Sequence, residues 1–173
     1  MTCHLVGISI SIPNGNTWYI PVGHNEPGQL SKNIIIENIK PIFENPKIPI
    51  RAHNANYDIS VLKQNGITVS NLEFDTMIAA HLSGRRNYGL KQLTLECFGE
   101  EMTPITNLIG KGRSQITMDE VPIKDAAPYA AADAYYTEKL YPLLKTELSE
   151  KNITKLYDEV EIPLIQILIK MQQ

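Results

Sequence analysis

The stretch Lys47-Ile48-Pro49-Ile50-Arg51-Ala52-His53-Asn54-Ala55-Asn56-Tyr57-Asp58 joins two kinds of element. The apolar run ending at Ala52 reads as a short strand, and a helix is predicted over Ile59 to Gln64, stopping near Gly66, a residue suited to the left-handed conformation that ends helices. Asn54, Tyr57 and Asp58 therefore fall at the carboxyl end of a strand, where α/β folds gather ligand-binding and catalytic groups. On the amino-terminal side, Leu5-Val6-Gly7-Ile8-Ser9-Ile10-Ser11-Ile12 alternates with period two, Pro13-Asn14-Gly15-Asn16 has turn chemistry, and Thr17-Trp18-Tyr19-Ile20-Pro21-Val22 returns: a hairpin. Ser31 is placed to cap a helix towards Phe43 that buries Ile35, Ile39 and Ile42 on one face.

On the carboxyl-terminal side, Leu72-Glu73-Phe74-Asp75-Thr76 reads as strand into helix, and Leu90, Leu93, Leu95 and Phe98 mark a helix closed by Gly99. Residues 100–118, with Pro104, Gly110 and Gly112, are predicted mostly as loop. The alanine-rich segment from Ile123 is helical, with Pro142 expected to kink or end it. A last helix begins near Asp158, passes Pro163 and runs through Leu164, Ile167, Leu168 and Met171. A hairpin followed by alternating strands and helices is an α/β layered fold with a mixed sheet.

The 173 residues, 43% hydrophobic and 20% charged, fit one ordinary globular domain and exclude a disordered chain. No run of about 18 apolar residues is present to span a membrane. The amino terminus lacks a secretory pattern, and two cysteines, Cys3 and Cys97, make no disulfide framework, so a reducing cytoplasm is expected. A net charge of −3 gives no bulk attraction to nucleic acid, yet a nuclease needs acids for metal and only local basic contacts.

Two constellations carry chemistry. Asn54-x-x-Tyr57-Asp58 sits at a strand–helix junction; the plain alternative is that Asp58 caps that helix. Tyr129-Ala130-Ala131-Ala132-Asp133 puts a phenol and a carboxylate side by side at i and i+4; the alternative is a buried tyrosine bonding a nearby acid. Together they resemble the second and third motifs of the DEDD 3′–5′ exonucleases, tyrosine subclass, a ribonuclease H-like (DnaQ-like) family. Leu5-Val6-Gly7-Ile8-Ser9, Tyr19-Ile20-Pro21-Val22-Gly23-His24, Phe74-Asp75-Thr76-Met77 and Ile109-Gly110-Lys111-Gly112 narrow the resemblance to the proofreading domains of bacterial DNA polymerase I.

The resemblance implies two-metal-ion hydrolysis of DNA 3′ ends with Mg²⁺ or Mn²⁺. It makes Asp58 and Asp133 metal ligands, Tyr129 the residue that orients the attacking water, and Asn54 a contact to the substrate or its phosphate. An apolar wedge falls at Ile105 or Leu108, with Leu108 read as core packing, and Lys111 and Arg113 on a glycine-freed loop could reach phosphates. Arg85-Arg86 is a second basic pair, read like the others as solvated surface charge unless bound. The four histidines are read as structural. Residues 1–160 form the exonuclease domain and 161–173 begin the helix leading to a polymerase domain, which with a single-stranded or frayed DNA 3′ end is the expected partner.

The family's first motif, Asp-x-Glu, belongs on a strand ahead of Leu5. None of the six aspartates is followed by glutamate two positions later. The sequence is accordingly expected to lack that strand and half of the four-carboxylate cage, and to bind metal and cleave DNA poorly as it stands. It then reads as a piece of a polymerase whose site is intact, or as a decayed domain kept as a scaffold; intact Asp58, Tyr129 and Asp133, and a last helix still running at Gln173, favour the piece. A ribonuclease D-like RNA-trimming enzyme is the other relative to be weighed.

Overall fold

A computed structural model of the chain describes residues 4–171; Cys3 and the final Gln172-Gln173 lie outside the described residues. The opening hairpin pairs β1 (Gly7–Ser11) with β2 (Thr17–Pro21) antiparallel, Ser9 opposite Tyr19. Its turn is closed by the Gly15 N–H on the Ile12 carbonyl, 2.9 Å, and by Asn14 Oδ1 accepting from the Asn16 N–H, 2.9 Å. Gly7 is required by packing. A Cβ there would lie 2.1 Å from the Tyr19 hydroxyl, which crosses the strand to reach His24 Nε2 at 2.6 Å. His24 Nδ1 donates to the Val121 carbonyl, 2.9 Å, leaving Nε2 to accept from Tyr19. This buried chain pins the hairpin to the segment that starts the long helix.

Helix α1 (Lys32–Phe43) buries Ile35 and Ile39, but Ile42 is 43% exposed because the core ends one turn earlier. Ser31 stands at the N-cap without a side-chain capping bond; its carbonyl accepts from Ile35 instead. β3 (Ile50–Ala52) runs parallel to β4 (Leu72–Asp75). The α/β layering is as expected, but the described strands form two two-stranded sheets not hydrogen-bonded to each other. Each described strand thus has one unpaired edge. Helix α6 (Ile123–Glu150) spans the two sheets, packing on β1, β2 and β3.

Helix α2 (Ala55–Gln64) begins four residues earlier than its periodicity predicts, and the reason lies elsewhere in the chain. Asp75, fully buried at the end of β4, accepts from the backbone N–H groups of Asn54 (3.2 Å) and Ala55 (2.7 Å) at the start of α2, and of Met77 (2.8 Å) and Ile78 (3.2 Å) at the start of α3 (Thr76–Leu82). One carboxylate caps two helices, so Asp58 does not cap α2 and lies inside its first turn. Tyr157 holds Asp75 in turn: its hydroxyl accepts from the Asp75 N–H at 2.6 Å and donates to the Asp75 carbonyl at 3.1 Å. Thr76 Oγ1 donates to the Ala52 carbonyl, 3.2 Å, and bonds His53 Nδ1, 2.8 Å, closing the junction.

Helix α4 (Leu90–Phe98) ends at Gly99, φ 69°, as its sequence predicts. The segment after it is mostly irregular, with α5 (Thr106–Ile109) and single helical turns at Gly112–Ser114 and Met118–Glu120. Pro142 does not end α6. A proline inside a helix costs about 3 kcal/mol. Leu140, Leu144 and Leu148, wholly buried on one face, offset it at about 2 kcal/mol each. A short α7 (Thr154–Leu156) and a wide turn at Tyr157–Glu161 lead into α8 (Ile162–Met171), which buries Ile165 and Ile169. Leu164, Ile167, Leu168 and Met171 are on its exposed side. No helix among the described residues is long and apolar enough to cross a membrane.

Arg51 on β3 sets how α6 lies over the strands. It is paired to Glu73 on β4 at 2.7 Å and to Glu138 on α6 at 2.6 Å, with its guanidinium 3.6 Å from the centre of the Tyr141 ring. Replacing Asp75 by alanine strands four helix-end N–H groups in the interior. The expected loss is about 3 kcal/mol or more, Asp75→Asn losing less. Urea unfolding measures it, and an alanine variant within about 0.5 kcal/mol of the parent would refute the double cap.

Candidate active site

Asp58 projects from the first turn of α2 and Asp133 from α6, and the two carboxyls come close enough to repel each other. Burial comes first in pushing Asp58 up to about 7, with Asp75 and Asp133 adding to it. Asp58 is itself an exposed residue, and it is the protein around its carboxyl and the acidic neighbours that raise it. Asp133 is also raised by burial, against the opposing influence of Lys91 and of a hydrogen bond from Tyr129. Its Oδ1 is buried with no hydrogen-bond partner. Asp75 lies near as well, but its oxygens are taken by the four backbone N–H groups. Among the described residues no group of three or more His, Cys, Asp and Glu is disposed to hold a metal.

Tyr129 lies one turn before Asp133, as the i, i+4 spacing requires. Burial, then the Asp133 charge and hydrogen bond, push its phenol up to about 12, so it remains a neutral donor. Lys91, from the first turn of α4, brings Nζ to 3.3 Å from the Tyr129 hydroxyl and also donates to the Thr103 carbonyl. A cavity of about 130 Å³ opens here, lined by Met102, Thr103, Leu108, Pro128, Tyr129 and Asp133 among others.

The other expected contacts divide. Asn54 is exposed at the head of α2 in the left-handed region, φ 68° and ψ 53°, a conformation asparagine tolerates better than other non-glycine residues. Ile105 is 42% exposed, whereas Leu108 lines the cavity instead of packing in the core, because α5 turns it towards α6. Lys111 and Arg113 are exposed on and beside the turn after α5 and do not line the cavity. Arg85 is not a solvated charge: it is half-buried and paired to Glu147 and, at 3.7 Å, to Glu96. Lys91 and Thr103 had no motif to announce them, and Asp75 stood in the motif Phe74-Asp75-Thr76-Met77 with no role read for it. Their parts are set by contacts from distant segments, and a lysine in a first helical turn was the one local irregularity.

The 3′–5′ exonuclease family model of type A DNA polymerases matches residues 1–149. The chain belongs to this 3′–5′ exonuclease family. It is 47% identical over 171 residues to DNA polymerase I of Chloroflexus aurantiacus, covering 97% of the chain and 18% of that relative. It is 32% identical over 123 residues to ribonuclease D of a Shewanella species, covering 69% of the chain and 30% of the relative. Among solved structures, the POL domain of Pol1 from M. smegmatis, in complex with DNA primer-template and dNTP, aligns with TM-score 0.74 at 19% identity over 97% of the chain and 25% of that chain. The structural likenesses show the ribonuclease H-like α/β fold of the exonuclease family. The chain spans about a fifth of the length of the polymerases it matches.

The raised Asp58 gives a pH signature with a definite sign. The folded state binds the Asp58 proton more tightly than the unfolded chain, so this contribution to stability is present at low pH and is lost as pH rises from about 4 to about 7. Asp58→Asn should therefore flatten the fall in unfolding temperature over that window and be the more stable protein above it. A thermal unfolding series across pH measures this, and identical profiles for both proteins would contradict the crowded carboxyl.

Proposed function

We propose that this exonuclease domain removes nucleotides from single-stranded or frayed DNA 3′ ends by metal-assisted phosphodiester hydrolysis, proofreading for a polymerase domain of the same protein. The observation that carries the reading is the pair Asp58 and Asp133. They lie 75 positions apart in sequence (133 minus 58), yet their carboxyls share one small region, and one buried oxygen has no partner. Hard oxygen donors close enough for the Asp133 charge to raise the Asp58 carboxyl are suited to a divalent cation, and burial raises the value of its charge. The donor set fits as part of a cage: Asp58 and Asp133 would hold two divalent ions, Mg²⁺ or Mn²⁺, together with further carboxylates of the family's Asp-x-Glu type. Bound there, the ions would acidify water and neutralise charge on the scissile phosphate.

The chain's own side chains supply the rest. Tyr129, neutral at working pH, positions the attacking water with its hydroxyl. Leu108 offers the cavity wall against which a terminal base packs, with Ile105 as an apolar edge outside it, and Asn54 contacts the end of the strand. Lys111 and Arg113 take phosphates upstream. Residues 161–173 begin the segment that leads to the polymerase domain, and the protein works in the cytoplasm on replicating or repaired DNA.

Joined to an N-terminal strand bearing Asp-x-Glu, the chain should digest single-stranded DNA from its 3′ end in Mg²⁺ and stop on chelation. Asp133→Ala should bring that to background, and Tyr129→Phe should slow it by a further-removed, about 10- to 100-fold effect. A joined protein that is inert while folded would instead fit an inactive scaffold. The ribonuclease D relative gives RNA its own arm: faster trimming of RNA than of DNA 3′ ends would move the substrate class.

A further inference from the structure

We propose that Lys91 is a positioning residue for Tyr129: its ammonium holds the phenol oxygen from one side, so that the single phenol proton is directed to Asp133. The functional consequence rests on the exonuclease reading above; the geometry does not.

The donors at this contact can be counted. An ammonium carries three N–H donors and no acceptor, and a phenol carries one O–H donor. Lys91 Nζ lies 3.3 Å from the Tyr129 hydroxyl, so the oxygen must accept there. The phenol proton is then free for Asp133, one turn further along the same face of α6, whose charge acts on the phenol. The result is a directed series, Lys91 to Tyr129 to Asp133, running across α4 and α6. Nζ also stands 4.5 Å from the Tyr129 ring centre, close enough to attract the ring face and restrain the side chain's swing.

A second donor of the same ammonium goes to the Thr103 carbonyl. Thr103 is part of the cavity wall together with Met102 and Leu108. Lys91 thereby ties that wall to the helix carrying Tyr129 and Asp133. α4 itself is well anchored, with Leu93 and Thr94 wholly buried and Gly99 closing its last turn. A cation in the first turn of a helix opposes the helix dipole, and position 91 is in the first turn of α4. The three acceptors facing it, the Thr103 carbonyl, the Tyr129 oxygen and the Asp133 charge, offset that local penalty. With one acceptor direction of the phenol taken by Lys91 and its proton committed, the remaining acceptor direction is where Tyr129 can hold a water in a single orientation.

The first test needs no activity. In the 173-residue chain labelled with ring-¹³C tyrosine, the Tyr129 Cζ resonance is assigned by its disappearance in Tyr129→Phe. Lys91→Met, which keeps the length and loses charge and donors, should displace that resonance, and Lys91→Arg should leave it nearer the parent. No displacement in a folded Lys91→Met protein, or an equal one in Lys91→Arg, overturns the proposal; if Lys91→Met does not fold, Lys91→Gln reads the same resonance. The second test uses the chain joined to an Asp-x-Glu strand. There Lys91→Met should lower kcat about tenfold, one charge-assisted hydrogen bond's worth, with KM unchanged, and have no further effect in Tyr129→Phe. A tenfold loss in both backgrounds overturns the positioning role. Complete absence of nuclease activity would sink the exonuclease reading and leave the tyrosine resonance to decide Lys91.

Discussion

The constraint on which this structure depends is the buried carboxylate of Asp75. Two helices and a strand end converge there, and a helix start that converges in the interior brings N–H groups that water cannot reach. Asp75 answers four of them at once, and Tyr157 occupies both backbone groups of the same residue. Because the cap acts across α2 and α3 together, it fixes their relative placement as well as their existence. The first turn of α2 carries Asp58, so the position of a candidate ligand is decided by a residue that never touches a metal or a substrate.

Opposite that junction, α6 brings Tyr129 and Asp133. Its placement comes from Arg51, whose guanidinium joins β3, β4 and α6 through Glu73, Glu138 and the Tyr141 face. The two locks have different chemistry, backbone capping in one and a charge-assisted network in the other, but a common effect. They hold Asp58 and Asp133 where the Asp133 charge favours the protonated form of Asp58. Such a pair is unfavourable while both are ionised and becomes favourable once positive charge lies between or beside them. Lys91 supplies one such charge at the Tyr129 side.

Local patterns were readable where one segment carries its own reason. The hairpin turn at Asn14-Gly15, the Gly99 helix end and the pairing of Tyr129 with Asp133 follow from nearby residues and periodicity, and the resemblance to the exonuclease family rests on such local text. The start of α2, Ala55 rather than Ile59, was not readable because its cap is twenty residues downstream. Continuation of α6 through Pro142 was not readable either, since the proline penalty is local and the leucine burial that outweighs it is tertiary. Leu108 was misread as core because an apolar side chain looks the same whether it fills an interior or walls a cavity.

The amino-acid order by itself determined the family and the α/β alternation, and put forward the two acids and the tyrosine as candidates, because these lie in short segments whose spacing is their meaning. Only the folded chain decided that Asp75 is a cap and no ligand, that Arg85 is tied to Glu147, that the strands pair two by two, and that Lys91 meets Tyr129. Each of those is an encounter between groups distant along the polypeptide. Which donor finds which acceptor is settled by how the helices pack, a quantity no single segment contains.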